Sequence, residues 1–109
     1  MSMFMSDYDV EALLQFAIRH TANTLRIEDP SWKTPKELLA EIESVDPQTH
    51  APLAKFCEAY LEWYRYVKQI GDLGKNGNLD RLEQEKLFHL MQQRDATRST
   101  ILARIKSLN

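Results

Sequence analysis

The chain is poor in residues that staple, break or activate. It has one cysteine, Cys57, so no disulfide can close within it, and a reducing compartment is expected. It has only three glycines, Gly71, Gly74 and Gly77, all in one segment. No apolar run reaches the roughly 18 residues that a membrane span needs. The opening MSMFMSDYD has neither the basic n-region nor the apolar h-region of a secretory signal. Cytoplasm is therefore the expected location, with no membrane among the partners. There is no CxxC, HExxH, Walker-type or dinucleotide-binding fingerprint, and no serine in a glycine elbow. The histidines, His20, His50 and His89, lie far apart in the chain and read as helix-surface or core-edge residues. Nothing assembles a nucleophile with a base, so the chain is not expected to be an enzyme.

Charge of one sign is also lacking overall. The net charge of −2 argues against binding nucleic acid by bulk electrostatics. Residues 1–50 carry nine acids and four bases, whereas residues 51–109 carry seven acids and ten bases. Arg94, Arg98, Arg104 and Lys106 lie close to the C-terminus, which keeps a basic-helix nucleic-acid regulator as an alternative reading, against the acidic first half of the chain. Hydrophobic content of 43% beside 28% charged residues is that of a globular chain, which excludes disorder throughout.

What is abundant is helical periodicity, and the stretch 52–70 concentrates it. It holds five of the ten aromatic residues and the cysteine. At 3.6 residues per turn, Leu53, Phe56, Cys57, Tyr60, Tyr64 and Val67 fall on one face, with Trp63, Tyr66, Ile70 and Ala59 on a flank beside it. So wide an apolar arc marks a central helix packed on more than one side, or packed on one side with a flank left for a partner. A cysteine on the apolar face reads as a buried, inert thiol.

Three other helices surround it in the chain. Val10, Leu13, Leu14, Ala17, Ile18, Thr21 and Leu25 form a stripe over 7–25, started by Ser6 or Asp7 with acids in its first turn, after a loose tail at 1–5. A loop follows in which Pro30 forbids a helical Asp29, and Trp32 there is either a lid on the core or a partner-facing anchor. Thr34, Pro35 and Glu37 make an N-cap, a first-position proline and a capping box for a short helix over 35–44. Asp46 can cap a further turn at 47–50 before Pro52 opens the central helix. The last helix is expected over 79–108, capped by Asn78. Its stripe of Leu87, Leu90, Met91, Ile101, Leu102, Ile105 and Leu108 is interrupted by Arg94 and Arg98 within a polar segment at 92–100. Two buried unpaired cations would cost several kcal/mol, so either the helix leaves the core there or the arginines meet acids. The expected fold is all-α, a compact bundle of four main helices in one domain, the last one long.

The segment 72–83, DLGKNGNLDRLE, resembles the calcium loop of EF-hand proteins. Asp72, Asn76, Asn78, Asp80 and Glu83 stand at ligand positions, and Gly77 stands at the turn glycine. The resemblance implies a weak calcium site. Gly74 supplies no oxygen where the family has its second ligand, Gly71 replaces the apolar residue that usually precedes the loop, and no second loop is present to pair with it. The other reading is a glycine-rich turn between two helices. The expected function is a small non-catalytic protein-binding module, an adaptor, inhibitor or chaperone-like chain. Trp63, Tyr66, Ile70, Arg94 and Arg98 are its candidate contact residues, because tyrosine, tryptophan and arginine dominate interface hot spots. Its partner is another protein or its own copy.

Overall fold

The computed structural model describes residues 7–28, 31–74 and 78–108, with side chains from Leu14 onward in the first helix. The tail at 1–5, the cap at Ser6, the break at Asp29 and Pro30, and Asn76 with Gly77 lie outside the described residues. Four helices pack against one another, and no strand occurs among the described residues: α1 (Asp7–Thr24), α2 (Pro35–Val45), α3 (Pro47–Asp72) and α4 (Arg81–Leu108).

Each helix end has a local chemical cause. α1 closes through a Schellman-type turn in which Ile27 donates to the Ala22 carbonyl at 2.9 Å and Arg26 to Asn23 at 3.0 Å. Arg26 takes the left-handed position usually given to glycine, with φ 62°. Ile27 then folds back onto the core. α2 starts as its sequence implies: the Thr34 hydroxyl accepts from the Glu37 backbone N–H at 3.2 Å, and Pro35 fills the first turn.

The joint between α2 and α3 is a single residue. Asp46 ends α2 by donating its N–H to the Ile42 carbonyl at 2.8 Å, and its carboxylate caps α3 by accepting from the Thr49 N–H at 3.3 Å. α3 therefore begins at Pro47, five residues earlier than the start expected at Pro52, and runs unbroken through Pro52. The reason is the strength of the start. Asp46 holds the cap, Pro47 sits at the first helical position where no N–H is needed, and the helix gives up only the one bond that Pro52 cannot donate.

This corner is tied to the far end of the chain. The Thr49 hydroxyl donates to Asp46 Oδ2 at 2.6 Å and accepts from Arg104 Nε at 2.9 Å, while Arg104 Nη2 reaches Asp46 Oδ2 at 3.1 Å. Thr49 is fully buried, so the closed ring of three bonds leaves no polar atom of that side chain without a partner. Around it lies one hydrophobic cluster drawn from all four helices: Ile18 and Ala22, Leu38 and Ile42, Leu53 and Phe56, Ile101 and Ile105.

α1 and α2 are shorter than α3 and α4, so they cover only part of the long pair. Farther along it, Ala59, Tyr64, Ile70 and Leu90 are buried outside the main cluster. The last helix starts at Arg81 instead of Leu79, because Asp80 and not Asn78 is the cap. Asp80 Oδ1 accepts from the Glu83 N–H at 2.8 Å, and Glu83 Oε1 accepts from the Asp80 N–H at 3.1 Å, a reciprocal capping box. α4 is continuous through its polar middle, where Thr97 and Thr100 return their hydroxyls to carbonyls of their own helix.

Leu53 contacts the cluster with no exposed surface. Leu53→Ala is expected to lower unfolding stability by about 2–5 kcal/mol, read from urea denaturation. The Asp46 carboxyl is held below its ordinary value of 3.8, chiefly by the Thr49 hydroxyl; desolvation opposes this, and Arg104 lowers it further. A carboxyl lowered on folding contributes stability that is complete above the unfolded value and is lost as pH falls through the folded one. Between about pH 5 and about pH 3 the urea midpoint of the wild type should therefore fall further than that of Asp46→Asn.

Candidate functional site

The helical stripe of α1 turns Ile18 and Ala22 into the core, which leaves Phe16 to one side. Phe16 is 74% exposed and stacks on His20, one turn on, with ring centroids 6.5 Å apart. On α4 the same geometry buries Ile101 and Ile105 and leaves Leu102 at 49% exposure. Between these two walls runs an apolar groove of about 400 Å³, floored by Leu53, Phe56 and Tyr60 of α3. Arg94, Asp95 and Arg98 of α4 and His20 of α1 supply its polar lining.

The floor continues as a train of edge-on rings. Phe56 and Tyr60 lie 5.9 Å apart at 63°, and Tyr60 and Trp63 lie 5.4 Å apart at 67°. Arg94 closes the train, its guanidinium 4.3 Å from the Trp63 centroid and its Nε donating to Asp95 Oδ1 at 3.1 Å. Burial pushes the Tyr60 phenol up, against the lowering effect of Arg94. Arg94 thus sits within the apolar stripe without being an unpaired charge. Arg98, one turn on, is exposed at the groove and makes no ion pair among the described residues.

The five candidate contact residues divide accordingly. Trp63 and Arg94 come together as a stacked pair at the end of the groove, and Arg98 lies beside them on its rim. Tyr66 is half-buried under Lys86, whose Nζ is 4.6 Å from its ring centroid. Ile70 is 5% exposed, so its side chain is covered within the molecule. Trp32, which reads as a lid or an anchor, is 80% exposed and covers no core. Its loop is pinned by Arg19 Nη2 donating to the Lys33 carbonyl at 2.7 Å and by a Lys33–Glu41 ion pair at 2.7 Å.

Phe16, Tyr60 and Leu102 are groove residues that the contact candidates omit. Phe16 left a signal in the sequence: it is a large apolar residue off the α1 stripe, where a core reading has no use for it.

At the segment resembling a calcium loop, Asp72 belongs to the last turn of α3, and Asn78 is exposed. Asp80 and Glu83 each accept from the other's backbone in the capping box. Among the described residues no three His, Cys, Asp or Glu side chains are grouped to hold a metal ion. Of the basic residues near the C-terminus, Arg94 and Arg104 are engaged inside the molecule, which leaves Arg98 and Lys106 outward. Among the described residues no helix is long and apolar enough to cross a membrane.

No family model matches the chain, and no curated protein or solved structure is significantly similar to it.

Cys57 is half-buried against the core, and its thiol is pushed up to about 11, first by burial and then by the charge of Glu58. Alkylation by iodoacetamide at pH 8 should run about two orders of magnitude slower than in the urea-unfolded chain, because the thiolate is the reacting form.

Proposed function

We propose that the chain is a small, non-catalytic protein-binding module of the cytoplasm, and that its working surface is the groove between α1 and α4. One observation carries this reading. The groove keeps Phe16 and Leu102 exposed on its walls above a floor of the buried Phe56 and the half-buried Tyr60, with arginines on its rim. Large apolar side chains held open on a packed scaffold are the anchors of the helix-in-groove mode of recognition. In this reading an amphipathic helix lies beside α4, its apolar face entering the groove while its polar edge meets Arg98. Trp63 and Arg94 support the end of that surface as a stacked pair, and aromatic and arginine side chains of this kind carry most of an interface's energy.

The residues of the 72–83 segment favour local capping, and the C-terminal cations are partly engaged within the fold, so neither calcium nor nucleic acid draws comparable support. An affinity pull-down read by mass spectrometry, comparing wild type with Leu102→Glu, tests the proposal. A defined protein, which includes the chain itself, should be retained by the wild type and lost by the variant, while the far-UV helical signal stays unchanged. Retention of the same proteins by both counts against the groove as the working surface.

A further inference from the structure

The outer flank of α4 beside the groove carries a pattern that neither the core nor the groove explains by itself. Phe88, Met91, Asp95, Arg98 and Leu102 on this flank, with the 6%-exposed Ile105 where the flank meets the core, follow one another at alternating steps of three and four residues, the spacing of a coiled-coil seam. Phe88 is 62% exposed and Met91 37%, which places large apolar side chains in water along the part of α4 that precedes the groove. Asp95 and Arg98 stand in the middle, both outward.

The order of these residues reads the same in both directions. Turned end for end about a point between Ala96 and Thr97, Asp95 falls opposite Arg98, Met91 opposite Leu102, and Phe88 opposite Ile105. We infer that the groove and this seam pair with a second copy of the chain, α4 antiparallel to α4 about a two-fold axis between Ala96 and Thr97.

Charge selects this arrangement. In the antiparallel register Asp95 meets Arg98 of the partner subunit, and the symmetry repeats the pair, so each of the two central layers joins a carboxylate to a guanidinium. A parallel pairing would set each carboxylate against its own copy and each guanidinium likewise, which costs free energy at both layers. Asp95 keeps an oxygen for the contact, since Arg94 engages only Oδ1.

The groove then acquires its occupant. Leu102 and Ile105 line it together with Leu53, Phe56 and Phe16, and Phe88 of the partner subunit arrives opposite Ile105. An exposed phenylalanine on one copy thus meets an open apolar groove on the other, twice per dimer. The seam from Phe88 to Ile105 is roughly 26 Å long at 1.5 Å per residue. A single helix pair of that length is a small interface, so the dimer is reversible and depends on concentration.

This inference rests on the protein-binding reading of the groove and names the partner. The test is sedimentation velocity on the full chain from about 1 µM to about 1 mM. The wild type should pass from monomer to dimer across that range. Arg98→Asp brings carboxylates face to face and Asp95→Arg brings guanidiniums face to face, so each single variant should raise the dissociation constant at least about tenfold. The double variant Asp95→Arg/Arg98→Asp should recover the dimer, because the exchanged charges meet again in the antiparallel register.

Should either variant lose helical signal, Met91→Glu and its combination with Leu102→Lys probe the neighbouring layer by the same logic. A wild type that stays monomeric throughout, single variants that dimerise like the wild type, or a folded double variant without recovery each overturn the dimer. The protein-binding reading is judged separately, since a different protein captured through Leu102 in the pull-down would stand with a monomeric chain.

Discussion

The ring formed by Asp46, Thr49 and Arg104 sets the architecture. A one-residue joint between two helices leaves many angles open, because nothing in Asp46 alone dictates where α3 points after α2 stops. Arg104 removes that freedom by reaching the cap from the other end of the chain, 58 residues away in sequence. A partly buried arginine is tolerated there because it meets a carboxylate and a hydroxyl whose remaining polar atoms are themselves satisfied. The consequence is positional: the last turns of α4 are laid across the α2–α3 corner. Ile101 and Ile105, one turn apart and on the same face, are thereby delivered into the cluster with Leu38, Ile42 and Leu53.

Once that end is closed, the lengths of the helices decide what remains open. α3 and α4 have 26 and 28 residues against 18 and 11 for α1 and α2, so the short helices cannot blanket the long pair. The exposed pairing of α3 with α4 is held instead by modest devices. Tyr64, Ile70 and Leu90 are buried along it, and Lys86 and Arg94 lie over Tyr66 and Trp63. Stems of long cations covering aromatic faces keep water from a two-layer structure that has no third layer. Where α1 approaches α4 it does so with small and polar residues between the walls, Ala17 and Thr21 among them, and the groove is the space that larger side chains at those positions would fill.

Much of the fold was legible in the sequence because its signals are local. Thr34, Pro35 and Glu37 announced a helix start, and the Ile18 stripe and the Leu53–Phe56 face followed helical periodicity. The misplaced starts of α3 and α4 share one cause. Pro52 and Asn78 carry the more familiar boundary signals, but Asp46 and Asp80, nearby in the chain, hold the caps that set the helix starts. Asp80 with Glu83 is a capping box spelled out in the sequence, and the resemblance to a calcium loop drew both residues toward another role. The groove was less legible. It depends on how α1 is set beside α4, which rests on long-range packing through the shared core that no local pattern encodes. Arg104 reads as a surface cation on a helical projection, since its partners come from elsewhere in the chain.

The interruption of the α4 stripe takes on a different meaning in this setting. Arg94 and Arg98 look like defects only if every apolar position on α4 is assumed to serve the chain's own core. Arg94 ends that core: its guanidinium faces Trp63 and Asp95, and beyond it the helix packs on α3 alone. Arg98 belongs to the outer flank, where an alternation of Asp95 and Arg98 between Met91 and Leu102 carries directional information that an all-apolar seam would lack. A seam of leucine or methionine at those two positions would bind more surface but would accept parallel and antiparallel neighbours alike. Two opposite charges three residues apart distinguish them, because only reversal of the helix brings unlike charges together. The polar middle that weakens α4 as a core helix is thus the part of it best suited to specify how a second helix lies against it.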